Sequence, residues 1–110
     1  MKSGDHCQLL KIYVSEDSRY KGHSLYSSLV YKLKESGIAG VTVTRAIEGY
    51  GKGKALHTER ILVLSSSLPI IIEAIDTAEQ IQRVLPTISE MVNEGMVMVT
   101  DVNVIKYGKG

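Results

Sequence analysis

Hydrophobic and polar residues alternate with a period of two along several regions of the chain, which is the pattern of β-strands. Four strands are predicted, of which the first covers residues 8–14, the second residues 41–47 and the fourth residues 96–105. The third starts near residue 59, holds residues 61–64 and resumes at residues 69–75. Pro69 has no N–H group to donate, so it fits the start of a strand or a bulge.

A first helix is predicted over residues 24–36. Leu25, Leu29 and Leu33 recur every four residues and form one apolar stripe. Gly37 follows as the residue that ends the helix in a left-handed conformation.

A second helix is predicted to open at Thr77. The Thr77 hydroxyl and the Gln80 side chain can together cap its first free amides. Pro86 lies inside the helical pattern and is predicted to kink the helix or to split it into two. Its apolar face is predicted to hold Ile81, Leu85, Ile88 and Val92.

The predicted order β-α-β-β-α-β indicates an α+β, ferredoxin-like fold, in which a four-stranded antiparallel sheet carries two helices on one face. A chain of 110 residues suffices for one domain, so residues 1–110 are predicted to form a single ferredoxin-like domain. Residues 61–64, 69–72 and 96–99 are apolar on both faces. Two helices can cover only one face, so we expect further copies of the chain to bury the other in a closed homo-oligomer.

The composition is that of an ordinary globular protein, with 44% hydrophobic and 23% charged residues. The net charge of +1 argues against a general nucleic-acid-binding protein. Cys7 is the one cysteine, the N-terminus is polar, and no apolar run is long enough to cross a membrane. We therefore expect a cytoplasmic protein without a signal peptide or membrane insertion.

Two neighbouring segments carry candidate chemistry. Residues 49–54 alternate glycine with lysine or tyrosine, and such amides and ammonium groups suit a phosphate, although a solvated loop is the simpler interpretation. His57 and Glu59 point to one face of a strand and are weak candidates for a metal pair or an acid–base pair. A polar junction between loop and strand is the simpler interpretation, because a metal site needs three or four ligands.

Four short motifs follow one another along the chain: Gly40-Val41-Thr42-Val43-Thr44, Gly49-Tyr50-Gly51, His57-Thr58-Glu59 and Leu68-Pro69. In this order they resemble motifs of the PII signalling proteins. The whole chain is more similar still to a small PII-like bacterial family of unknown function, over residues 8–107. PII proteins carry a glycine-rich segment before the last strand, where this chain has one glycine, Gly95.

The resemblance implies a homotrimer whose sheets face inward. It also implies that the segment from Glu48 to His57 is a short version of the T-loop, the loop with which PII proteins touch their protein partners. The partner itself is unknown, and a membrane transporter is one candidate class.

The resemblance further implies an adenine nucleotide, ATP or ADP, in the clefts between subunits. By position, Thr42 corresponds to a residue near the adenine. Gly49, Gly51 and Lys52 correspond to the loop base near the phosphate, and Lys106 stands where PII proteins have a phosphate-binding arginine.

The first functional hypothesis is therefore a non-enzymatic signalling protein that binds an adenine nucleotide and presents its loop to a partner. One alternative is a trimer that binds a divalent metal, as in copper-tolerance proteins of the same architecture, through His57 and Glu59. A third, less favoured hypothesis is a small phosphate-ester hydrolase with Lys52 or Lys54 at the phosphate.

Overall fold

The structure is a computed structural model that describes residues 1, 4, 6–49 and 68–108. The described residues form the elements β1 (His6–Ser15), β2 (Arg19–Tyr20), β3 (His23–Ser24), α1 (Leu25–Glu35), β4 (Gly40–Arg45), β5 (Pro69–Thr77), α2 (Ala78–Met91) and β6 (Met96–Asn103). The part of the third predicted strand between residues 59 and 67 lies outside them.

The main sheet has four strands in the order β4-β5-β1-β6, and every neighbouring pair is antiparallel. The register is continuous: Ile12 of β1 lies opposite Ile72 of β5 and Val97 of β6. This arrangement confirms the predicted ferredoxin-like fold. Between β1 and α1, for which no strand was predicted, β2 and β3 form a short hairpin around Lys21 and Gly22, both of which have positive φ.

One face of the sheet packs against both helices. Buried residues alternate along β5, with Ile70, Ile72 and Ala74 facing the helices. They join a single core whose helical members are Leu25, Leu29, Leu33, Ile81, Val84, Ile88 and Met91. The predicted apolar stripe of Leu25, Leu29 and Leu33 on α1 is thus confirmed.

The apolar face of α2 differs from the prediction in its details. Val84 and Met91 are buried, whereas Leu85 and Val92 only pack partly against the core. Both sets satisfy helical spacing with Ile81 and Ile88, so packing rather than periodicity selects between them. The helix runs continuously through Pro86, and Thr77 caps it as predicted by accepting from the Gln80 N–H at 3.3 Å.

Asp76 lies near the end of β5, is 4% exposed, and hydrogen-bonds both the connection before β4 and the start of α2. Its carboxylate accepts hydrogen bonds from the Ala39 N–H at 2.8 Å and from the Thr77 N–H at 2.6 Å. The first bond holds the connection between α1 and β4, and the second holds the start of α2.

Replacing Asp76 by alanine is expected to lower the free energy of unfolding by about 1–3 kcal/mol, because partly buried backbone donors lose their acceptor. Urea denaturation at one fixed protein concentration measures this loss. Asp101, which is exposed, provides the control: Asp101→Ala should cost about 0.5 kcal/mol or less. Equal losses in the two variants would contradict the role of Asp76.

Among the described residues, no helix is long and apolar enough to cross a membrane.

Candidate functional site

The described candidate residues of the nucleotide cleft lie on two different strands. Thr42 is exposed in the middle of β4, opposite Glu73 of β5. Gly49 follows β4, where an added Cβ would lie 3.6 Å from Cγ of Pro69. Lys106 is exposed, three residues beyond the end of β6. Gly51 and Lys52, like the metal candidates His57 and Glu59, lie outside the described residues.

These two groups of residues lie at opposite edges of the sheet. β4 is one edge strand and β6 is the other, with β5 and β1 between them. Three strand spacings separate the edges by about 14 Å. Within one copy, β5 and β1 therefore separate the strand of Thr42 from the strand that precedes Lys106.

The end of the sheet from which residues 50–67 depart is tied together by the main chain. The Ala46 N–H donates to the Pro69 carbonyl at 2.9 Å, and the Glu16 N–H donates to the Leu68 carbonyl at 3.0 Å. These bonds extend the β4-β5-β1 pairing beyond the strands themselves and fix the base of the predicted T-loop.

An ion pair lies at the same end of the sheet. An Arg45 Nη atom lies 2.9 Å from Oε1 of Glu16, and the two side chains are 50% and 28% exposed. Arg45 ends β4 and Glu16 follows β1, so the pair crosses the intervening strand β5. Sequence reasoning missed this pair. The available signal was an arginine at the position where the alternation of Val41 and Val43 predicts another apolar residue.

The sheet face that points away from the helical core is largely apolar. Leu9, Tyr13 and Ile71 of this open face are partly exposed, and Met96 is 49% exposed. At its centre Nζ of Lys11 lies 3.6 Å from Oε2 of Glu73 and 5.7 Å from the ring centre of Tyr13. The charges on this face are therefore paired, which leaves the surface suitable for burial against another copy.

A groove of about 590 Å³ lies on the opposite side of the molecule, between the hairpin, α1 and the end of α2. Lys21, Lys32, Glu35 and Glu90 line it together with tyrosine and serine side chains. Its charges are mixed, and none of the predicted site residues borders it. The described residues also contain no cluster of three or more His, Cys, Asp or Glu side chains that could hold a metal ion.

Comparison with known proteins agrees with the resemblance to PII-like proteins that the four sequence motifs indicated. The sequence matches the DUF190 family, described as Uncharacterized ACR, over residues 7–104. A UPF0166 protein of Aquifex aeolicus (strain VF5) is 43% identical over 98 residues, which cover 89% of this chain and 92% of that protein.

Solved structures of PII-like proteins share the fold. CPII from Thiomonas intermedia K12, a nitrogen regulatory PII-like protein, was solved with ADP, AMP and acetate. That structure superposes with a TM-score of 0.63 at 19% identity, over 91% of this chain and 89% of CPII. The GlnK–ATP complex of B. subtilis superposes with a TM-score of 0.53 at 16% identity, over 93% and 85% of the two chains. The predicted PII-like fold is thereby confirmed.

Proposed function

This chain belongs to the DUF190 family and has the fold of the PII-like proteins, and from this premise we propose that it is a PII-like regulatory protein that binds an adenine nucleotide between its subunits. The observation that carries the proposal is the match, over 91% of the chain, to a PII-like protein that was solved with ADP and AMP. We propose an adenine nucleotide because CPII was solved with ADP and AMP.

The position of the candidate residues supports a cleft between copies. Thr42 and Gly49 at the β4 edge of one subunit would face the adenine and the phosphates, and Lys106 beyond the β6 edge of a neighbour would supply a cation. Gly51 and Lys52 would extend the phosphate side of this cleft. A homotrimer with inward-facing sheets brings such edges together and buries the open face at the same time.

The proposed activity is signalling without catalysis. Binding shifts the population of the loop between Glu48 and His57, because a ligand that contacts one loop conformation more strongly stabilises that conformation. The loop then presents a surface to a protein partner, for which a membrane transporter is a candidate class. We place this action in the cytoplasm, where a buried thiol such as that of Cys7 stays reduced.

Isothermal titration of the full-length protein with ATP, ADP and AMP tests the proposal. We expect binding that weakens about tenfold in Lys106→Ala, since a hydrogen bond between charged groups is lost. Lys34→Ala removes an exposed lysine of α1 and should leave binding unchanged. Absence of binding by the unmodified protein to all three nucleotides would refute the proposal.

Mixed trimers test whether the cleft is shared between copies. Thr42→Tyr and Lys106→Ala are each expected to weaken binding when they occupy every subunit. Co-expression of the two variants should restore about a quarter of the clefts, because a cleft is intact only where a Lys106→Ala copy supplies Thr42 and a neighbouring Thr42→Tyr copy supplies Lys106. No restoration in trimers shown by mass spectrometry to be mixed would contradict a shared cleft.

A further inference from the structure

Within the described strands, the open face of the sheet carries one pair of opposite charges. Lys11 and Glu73 lie directly opposite each other in the register of β1 and β5. Successive side chains of a strand alternate between the two faces of a sheet, so the register identifies the other positions on this side. Every other described strand position on this side is uncharged. The pairs next to Lys11 and Glu73 are Tyr13 with Ile71 and Leu9 with Ile75.

The contact between Lys11 and Glu73 leaves much of their bonding capacity to water. Nζ of Lys11 lies 3.6 Å from Oε2 of Glu73, which is beyond the usual range of an N–H···O hydrogen bond. An ammonium group has three donors, and a carboxylate has about four acceptor sites. The two side chains are 33% and 39% exposed, so water can reach both of them in a single copy.

Burial of the open face in an assembly would remove this water. Buried charges are costly unless they are paired and also hydrogen-bonded. The groups that can replace the water are the same two charges on a neighbouring copy, because each copy brings one ammonium group and one carboxylate. The face is therefore complementary in charge to itself, and the occupant that fits it is a second copy of this chain. In a closed cyclic assembly such a contact repeats at every interface.

We propose that Lys11 of one copy pairs with Glu73 of the next and that this contact fixes the register in which the open faces meet. The inference rests on the assembly in the proposed function, since it names the residues that select the partner subunit. A shifted register would set Lys11 against an uncharged pair such as Leu9 and Ile75 and would bury it without an anion. A chain with its charges at other positions meets the same penalty, so the pair favours copies of this chain over unlike partners.

Reversal of both charges in one chain tests the proposal. Lys11→Glu with Glu73→Lys keeps opposite charges together within each copy and between reversed copies, so the reversed chain should fold and form trimers by itself. It is co-expressed with the unmodified chain under a different affinity tag, and native mass spectrometry counts the trimers. Each mixed trimer contains one interface with two ammonium groups and one with two carboxylates. We expect mixed trimers to fall at least about tenfold below the roughly three-quarters that random association gives.

Lys32→Glu with Glu35→Lys is the matched control, because it reverses an exposed ion pair of α1, at 3.3 Å, away from the open face. This chain should mix with the unmodified chain at random. Random mixing of the chain reversed at Lys11 and Glu73 would show that each pair closes within its own copy, and would overturn the inference while leaving the proposed function intact. A reversed chain that folds but stays monomeric would also overturn it. If the unmodified protein forms no trimer, it is the proposed assembly itself that fails.

Discussion

The variant Gly95→Ala is expected to lose roughly 3 kcal/mol or more of folding stability, the largest loss that we predict for a single methyl group. Gly95 has a φ of +147°, a conformation that side chains rarely adopt. An added Cβ would overlap the carbonyl oxygen of Tyr13 and would lie 3.2 Å from Cγ1 of both Val14 and Val92. The overlapping atom belongs to the backbone of β1, which pairs with β6 at this point, so it cannot move without loss of the sheet register.

The variant Gly37→Ala separates this overlap from the strain of a positive φ alone. Gly37 ends α1 with a φ of +81°, and nothing lies within 4 Å of an added Cβ. Its substitution should cost about 1–2 kcal/mol, the usual penalty of a left-handed conformation. Both losses can be measured by urea denaturation followed by circular dichroism at equal protein concentration. Equal losses in the two variants would show that the approach of Gly95 to Tyr13 does not constrain the fold.

Gly95 also illustrates what the sequence could and could not predict. The alternation of residues 8–14 and 96–105 predicted β1 and β6, but only the pairing of these strands brings Gly95 against Tyr13. Periodicity likewise predicted a helix after Thr77. Leu85 and Val92 do pack against the core, but the prediction omitted the more deeply buried Val84 and Met91, which satisfy the same spacing. The hairpin before α1 was missed because strands of two residues have no period.

The candidate site was also predictable only in part from the sequence. The resemblance assigned Thr42 and Gly49 to one strand and the loop after it, and Lys106 to the segment after the last strand, yet the separation of these strands at opposite edges follows from the strand order and not from the motifs. Glu16 and Arg45 are 29 residues apart in the sequence and meet only because β5 lies between their strands. The arginine that breaks the alternation of Val41 and Val43 marks an unusual position in the sequence, but it does not identify Glu16 as the partner.

A charge placed on the open face is expected to abolish assembly and nucleotide binding together. Ile71 lies on that face, opposite Tyr13 of β1 and Thr44 of β4, neither of which carries a charge. In Ile71→Asp each subunit would bury a new carboxylate, and a buried charge without a partner costs several kcal/mol. The wild-type charges of this face avoid that loss because Lys11 and Glu73 pair with each other at 3.6 Å. Light scattering should therefore give the mass of the proposed trimer for the unmodified protein and of a monomer for the variant.

The control for this experiment is Tyr31→Asp, which places the same carboxylate on α1 at a residue that is 66% exposed. It should keep both the assembly and the affinity for ATP. The helical core does not include Ile71, so the circular dichroism spectrum of Ile71→Asp should stay that of a folded protein. A folded monomer that no longer binds nucleotide would place the ligand between subunits, because each copy alone retains Thr42, Gly49 and Lys106. A variant that remains trimeric would exclude the open face as the assembly surface, and a monomer that still binds ATP would exclude the shared cleft.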